Sequence, residues 1–172
     1  LQAGKSKVFI GTEIGLYQRE GNETKLIFPG AISALSVSDD EAWVAIGDDI
    51  KSSATGQILL LPRQTKITAL EKNGNTLWIG TETGLFQANI ATGRVEELTN
   101  RNSKFKKSAV NFVHVDRKKI LWIGTKNGDY RVEGDKWKYY HKEMDVLDFY
   151  ENSEGIWFVS KDDMWLIDPF NR

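Results

Sequence analysis

Five short segments of this chain repeat one another: Val8-Phe9-Ile10-Gly11-Thr12, Ala42-Trp43-Val44-Ala45-Ile46, Leu77-Trp78-Ile79-Gly80-Thr81, Leu121-Trp122-Ile123-Gly124-Thr125 and Ile156-Trp157-Phe158-Val159-Ser160. Their aromatic anchors, Phe9, Trp43, Trp78, Trp122 and Trp157, fall 34, 35, 44 and 35 residues apart. A period of this size belongs to repeat architectures, built either of stacked helix pairs or of blades of short strands. The one long interval contains the polar run from Asn100 to Lys107, which reads as a loop insertion.

Local pattern favours strands. Gly follows closely after most anchors, as in Gly11-Thr12-Glu13-Ile14-Gly15 and Gly80-Thr81-Glu82-Thr83-Gly84, and such punctuation breaks helices. Upstream apolar stretches (Ile32, Leu35, Val37; Ile67, Leu70; Val110, Val113, Val115; Val146, Phe149) are too short for stable amphipathic helices. Downstream come a third apolar run (Leu16-Tyr17, Leu85-Phe86, Tyr130-Arg131-Val132, Met164 to Ile167) and a fourth (Leu26 to Phe28, Ile58 to Leu61, Trp137 to Tyr140). Ala54-Thr55-Gly56, Ala91-Thr92-Gly93 and Gly134-Asp135-Lys136 supply matching hairpin turns between them. The expectation is an all-β β-propeller of about five four-stranded, WD40-like blades spanning residues 1–172 as one domain. A blade buries both faces, so a large flat side chain on each second strand fills the wedge between sheets, and the following Gly permits close approach.

Composition bounds the function classes. The 172 residues with 40% apolar content are enough for a core. A net charge of -1 disfavours nucleic acid as a partner. With no cysteine, disulfides, thiolate metal sites and cysteine nucleophiles are excluded. No apolar run approaches the roughly 20 residues that cross a bilayer, so no membrane insertion of this segment is expected.

The string Leu77-Trp78-Ile79-Gly80-Thr81-Glu82-Thr83-Gly84-Leu85, echoed by Leu121 to Gly128 and Phe9 to Leu16, resembles the repeat of the two-component regulator propeller family. Members form extracytoplasmic sensor regions of bacterial hybrid histidine kinases. Repeat 2 departs, with Ala45 in the Gly place and Asp48-Asp49-Ile50 in place of Thr-x-x-Gly-Leu, and repeat 5 has Val159-Ser160 where Gly-Thr is expected. The chain opens almost at a second strand and stops after a third, about 18 strands where five full blades need 20. It is therefore either a compact five-bladed ring or a piece of a larger propeller, whose edges would be open.

The resemblance implies a non-catalytic recognition or sensor module, periplasmic, taking a carbohydrate or similar polar ligand or a protein partner, with no cofactor. The fold places ligands at the funnel mouth. One set of mouth loops carries Glu13, Asp48, Asp49, Glu82, Lys126, Asn127, Lys161 and Asp162, and the other carries Arg63, Glu143 and the insertion with Lys104, Phe105, Lys106 and Lys107. That basic insertion is a candidate partner contact, since long loops on rigid scaffolds carry function. Solvated loop tips are the plainer account of all these charges.

Asp48-Asp49 and Asp162-Asp163 are the obvious carboxylate pairs for glycosidic chemistry, but adjacent strand residues point to opposite faces. A propeller glycoside hydrolase or lyase is the alternative, and it requires Asp48, Glu82 and Asp162 to converge. A scaffold for protein assembly is a third reading. His114, on an inner strand, and His141, ending an outer one, should lie too far apart to share a metal, and no metal site is expected. No Gly-x-Ser-x-Gly elbow or Walker loop is present.

Overall fold

The computed structural model describes residues 1–98 and 108–167. Their regular structure is entirely β and falls into five antiparallel sheets. Blade 1 comprises β1 (Gln2–Ala3), β2 (Lys7–Gly11), β3 (Gly15–Glu20) and β4 (Glu23–Pro29). Blade 2 holds β5 (Ile32–Ser38), β6 (Glu41–Ile46), β7 (Asp49–Ser52) and β8 (Ile58–Leu60). Blade 3 holds β9 (Ile67–Asn73), β10 (Thr76–Thr81), β11 (Gly84–Asn89) and β12 (Val95–Glu97). Blade 4 holds β13 (Val110–Val115), β14 (Leu121–Thr125), β15 (Gly128–Glu133) and β16 (Lys136–Tyr140), and blade 5 holds β17 (Val146–Glu151), β18 (Ile156–Ser160) and β19 (Met164–Ile167). Within every sheet, strands pair in chain order.

One expectation needs correction. The first blade does have an inner strand, because Gln2 and Ala3 pair with Phe9 and Val8, so 19 strands stand among the described residues. Two residues show no alternation for a sequence pattern to register.

The anchor strings now acquire causes. In blades 1, 3 and 4 the Thr hydroxyl donates to the carbonyl of the Gly three residues on: Thr12 to Gly15 at 2.8 Å, Thr81 to Gly84 at 2.8 Å and Thr125 to Gly128 at 2.7 Å. The same oxygen accepts backbone N–H groups inside the turn, so Thr-x-x-Gly is a hydroxyl-closed turn. Ser160 repeats the chemistry, donating to the Asp163 carbonyl at 3.2 Å. Blade 2 has no hydroxyl there and instead turns through Gly47, at a φ of 60°, and Asp48. The other hairpins also match: Gly56 N–H donates to Ser52 O and Gly93 N–H to Asn89 O, both glycines at a φ of 70°.

Each of the first four anchors packs on the following blade. Phe9 clusters with Ala42 and Val44, Trp43 with Leu77 and Ile79, Trp78 against Leu121 and Ile123, and Trp122 with Ile156 and Phe158. The receiving residues are those flanking the next anchor, because strand alternation turns them to the opposite face. At Gly80 a Cβ would stand 2.7 Å from Val110 of blade 4, so the glycine is where the next inner strand seats.

Side chains also tie successive inner strands. The Gln2 amide donates to Leu35 O and accepts from Val37 N; Lys72 N donates to Ser36 Oγ; Thr68 Oγ1 donates to Val110 O; Asn111 Nδ2 donates to Val146 O. Residues from β1, β5, β9, β13 and β17 together border one cavity of about 230 Å3, among them Gln2, Leu35, Glu71, Phe112 and Phe149. The five inner strands therefore all border one common space.

Candidate functional site at the two ends of the central cavity

The turns between second and third strands lie beside the starts of the inner strands, since Thr81 pairs with Ile67, Thr125 with Val110 and Ser160 with Val146. Most expected mouth residues sit at this end. Glu13, Asp48, Glu82, Lys126, Asn127, Lys161 and Asp162 are all exposed. Several already have partners. Glu82 pairs with Lys66 at 3.4 Å, and Asp49 with Lys51 at 3.2 Å. Asn127 Nδ2 donates to Ser108 Oγ at 3.1 Å, Glu143 N–H donates to Asn127 O, and Asp162 N–H joins the Ser160 turn. Arg63 is bound to Glu97 at 2.9 Å and Thr83 at 2.8 Å, its guanidinium 5.3 Å from the Phe86 ring centre. Lys104, Phe105, Lys106 and Lys107 lie outside the described residues.

Two expected residues share a cavity: Asp48 and Arg63 border a space of about 180 Å3 with Gln64 and Thr65 beside them. Neither Glu82 nor Asp162 lines it. Asp48 and Arg63 thus border one space that Leu60 and Leu61 also line, without the other two carboxylates of the hydrolase alternative.

The opposite end carries a cluster that motif reasoning did not assemble. His114 lies four residues along β13, about 13 Å from its start at strand rise. Its Nε2 is 3.1 Å from Glu151 of blade 5 and its Nδ1 is 3.4 Å from Glu71 of blade 3. Phe149 stacks on the imidazole at 4.1 Å. Burial works against charge on His114, but the hydrogen bonds and charges of Glu71 and Glu151 outweigh it and hold the imidazole above its ordinary value of 6.5. Glu71 and Glu151 stand roughly a period before and after His114, and that spacing was the available signal.

The second histidine is a separate pair. His141 Nδ1 meets the fully buried Asp129 at 2.7 Å, and its ring lies 4.3 Å from Trp165 of blade 5. Burial raises the Asp129 carboxyl above its ordinary range against the pull of His141. The two histidines keep different carboxylates, and among the described residues no group of three or more His, Asp or Glu is arranged to hold a metal ion.

No family model matches the chain, and no curated protein matches it. Solved structures do. The extracellular domain of the putative hybrid two component system BT4673 from B. thetaiotaomicron aligns at a TM-score of 0.79 and 16% identity, covering 98% of this chain and 26% of that one. The extracellular domain of the B. thetaiotaomicron system BT3049 aligns at 0.71 and 14%, covering 96% and 26%. The WD40 beta propeller domain of Doa1 aligns at 0.70 and 11%, covering 98% and 63%. This chain spans about a quarter of the length of the two bacterial structures. Among the described residues no helix is long and apolar enough to cross a membrane. At these identities the likeness is one of fold, and it carries the same resemblance as the repeat motif, to the extracellular regions of bacterial hybrid two-component systems.

Proposed function

We propose that the chain is a recognition module of a periplasmic sensor propeller, without catalytic activity, and that it takes a small polar ligand such as a carbohydrate at the end where the inner strands begin. The observation that carries this reading is the Asp48 and Arg63 cavity, where a carboxylate and a guanidinium held by Glu97 face one space. Groups of both signs on one space suit hydroxyl-rich ligands, which both donate and accept. The hydroxyl-closed turns support it as well, because they hold neighbouring mouth residues on rigid hairpins. The bacterial neighbours, extracellular parts of putative two component systems, favour a sensor over an enzyme.

The test is calorimetric titration of the chain with a panel of neutral and acidic oligosaccharides, repeated with Asp48→Asn. At least one should bind, and the variant should weaken it about tenfold, a loss of roughly one charge-assisted hydrogen bond. A panel without any binder, or one bound equally by the variant, ends this reading. Hydrolysis of a panel member that stops in Asp48→Asn would put the glycosidase alternative in its place.

A further inference from the structure

Phe9, Trp43 and Trp122 are fully buried where they meet the following blade, but Trp78 is only half-buried. The wedge between blades 3 and 4 is thus left partly open by its anchor. A cavity of about 440 Å3 lies there, with Trp78 and Gln87 on the blade 3 side and Asp135 and Trp137 on the blade 4 side. A second, of about 380 Å3, follows the β11–β12 hairpin past Asn89, Arg94 and Glu96. Gln87 borders both, so the two adjoin along one cleft. Each volume falls within the roughly 300–1,000 Å3 of small-molecule sites.

Strand register sets the chemistry of the cleft. Gln87 aligns with Trp78 on one side and Glu96 on the other, so all three share the face toward blade 4. Around Trp43 the junction is filled by aliphatic side chains, Leu59, Leu61, Ile90 and Val95 among them. Beside Trp78 stand Gln87 and Glu96 instead. On blade 4, Trp137 aligns with Val132 and stands edge-on to Tyr130, with ring centres 6.2 Å apart. Among the described residues the half-buried Gln87 amide makes no hydrogen bond, and Asp135 has no ion-pair partner. Leu98 marks the edge of the cleft nearest the Gly84 turn, since its N–H donates to Leu85 O. The polar groups lie at the other edge, by the hairpins at 91–93 and 134–135.

We infer that this cleft binds a neutral sugar unit of an oligosaccharide, its ring laid against the Trp78 and Trp137 indoles and its hydroxyls held by Gln87 and Asp135. A sugar ring has an apolar face of C–H groups and a rim of hydroxyls that both donate and accept. Indole surface answers the first, and an amide beside a carboxylate answers the second. Charge selects against acidic ligands. Arg94 is taken by Glu96 at 2.6 Å, which leaves Asp135 as the uncompensated charge of the lining. The cleft shares no lining residue with the Asp48 and Arg63 cavity and does not rest on the reading of that site.

The experiment is titration of the whole chain, carrying isotope-labelled tryptophan, with cellotetraose, maltotetraose and xylotetraose, followed by NMR of the indole N–H signals. At least one sugar should shift the signals of Trp78 and Trp137, assigned through Trp78→Phe and Trp137→Phe. Gln87→Leu, which keeps the bulk and removes the amide, and Asp135→Ala, at an exposed hairpin position, should each weaken that binding about tenfold. Glu23→Gln, at an exposed position on blade 1, should leave it unchanged. The Trp43 and Trp122 signals, from buried positions, report an intact fold in every variant.

Three results overturn the inference. None of the three sugars shifts Trp78 or Trp137. A tetragalacturonate binds as tightly as the neutral sugars, so the cleft does not select against acidic ligands. Or binding falls in Asp48→Asn and is untouched in Gln87→Leu and Asp135→Ala, which places the sugar at the mouth and leaves the function proposed for that end standing alone.

Discussion

His114 Nε2 of blade 4 lies 3.1 Å from Glu151 of blade 5, while its other ring nitrogen lies 3.4 Å from Glu71 of blade 3, so one imidazole bridges three blades. The contact is made near the ends of their inner strands, where backbone pairing between blades is absent among the described residues. The two carboxylates hold the imidazole above 6.5 against the cost of burial.

A group whose pKa is higher folded than unfolded binds its proton more tightly when folded, so its stabilisation is complete below 6.5 and is lost as pH rises through the raised folded value. The melting temperature should therefore fall as pH is raised from near 6.5, and His114→Gln should flatten that dependence. Asp129, also raised by burial, acts in the same direction, so the quantity to read is the difference between the parent and His114→Gln profiles across one pH series. Identical melting profiles for parent and variant would count against the bridge.

Asp116 should matter more to stability than any mouth carboxylate. Its Oδ1 accepts from the N–H groups of Lys118 and Ile120 at 2.8 and 2.9 Å, and its Oδ2 accepts Trp122 Nε1 at 3.0 Å, all while nearly inaccessible. Asp116→Ala strands a buried indole N–H and two turn amides, at a cost of about 3 kcal/mol by denaturant melt. Asp48→Asn, at an exposed position, should stay within about 0.5 kcal/mol of the parent.

The turn hydroxyl can be isolated by a near-isosteric change. Thr125→Val keeps the buried volume but removes the donor to Gly128 O and the acceptor for Asn127 N, and should cost about 1–2 kcal/mol. Ser160→Thr should be neutral within about 0.5 kcal/mol, because the hydroxyl that closes the turn is retained. Equal losses at both positions would mean that the hydroxyl is not what the repeat preserves.

Gly124→Ala tests close approach. A Cβ there would lie 1.9 Å from the Phe112 ring, which packs against Phe149 and Phe158 of blade 5 and has little room to retreat. The expected loss is about 3 kcal/mol, within the range for overpacked cores. Gly56→Ala, with open space around it and a φ of 70°, should lose only about 1 kcal/mol, through backbone strain.

Much of the fold was legible because it is periodic. Phe9 and the four matching tryptophans mark second strands, and Gly56, Gly93 and Gly134, all at positive φ, mark hairpins. Repetition multiplies a weak local signal. Gln2–Ala3 escaped notice for the converse reason, since that strand is held by Gln2 binding Leu35 and Val37 some thirty residues away rather than by any pattern of its own. Asp116 likewise carries no signal as a residue type; only its bonds to Ile120 and Trp122 reveal what it does.

The candidate site divides along the same line. Sequence alone determined the blade count, the strand order and the end of the array to which Glu13, Asp48, Glu82, Lys126 and Asp162 belong, because turn chemistry and alternation act over a few residues. Only the tertiary structure decided that Asp48 shares a cavity with Arg63, that Glu82 is answered by Lys66, and that His114 bridges Glu71 and Glu151. Those relationships join side chains from different strands and blades. Their distances depend on how whole sheets pack, and no local pattern records that.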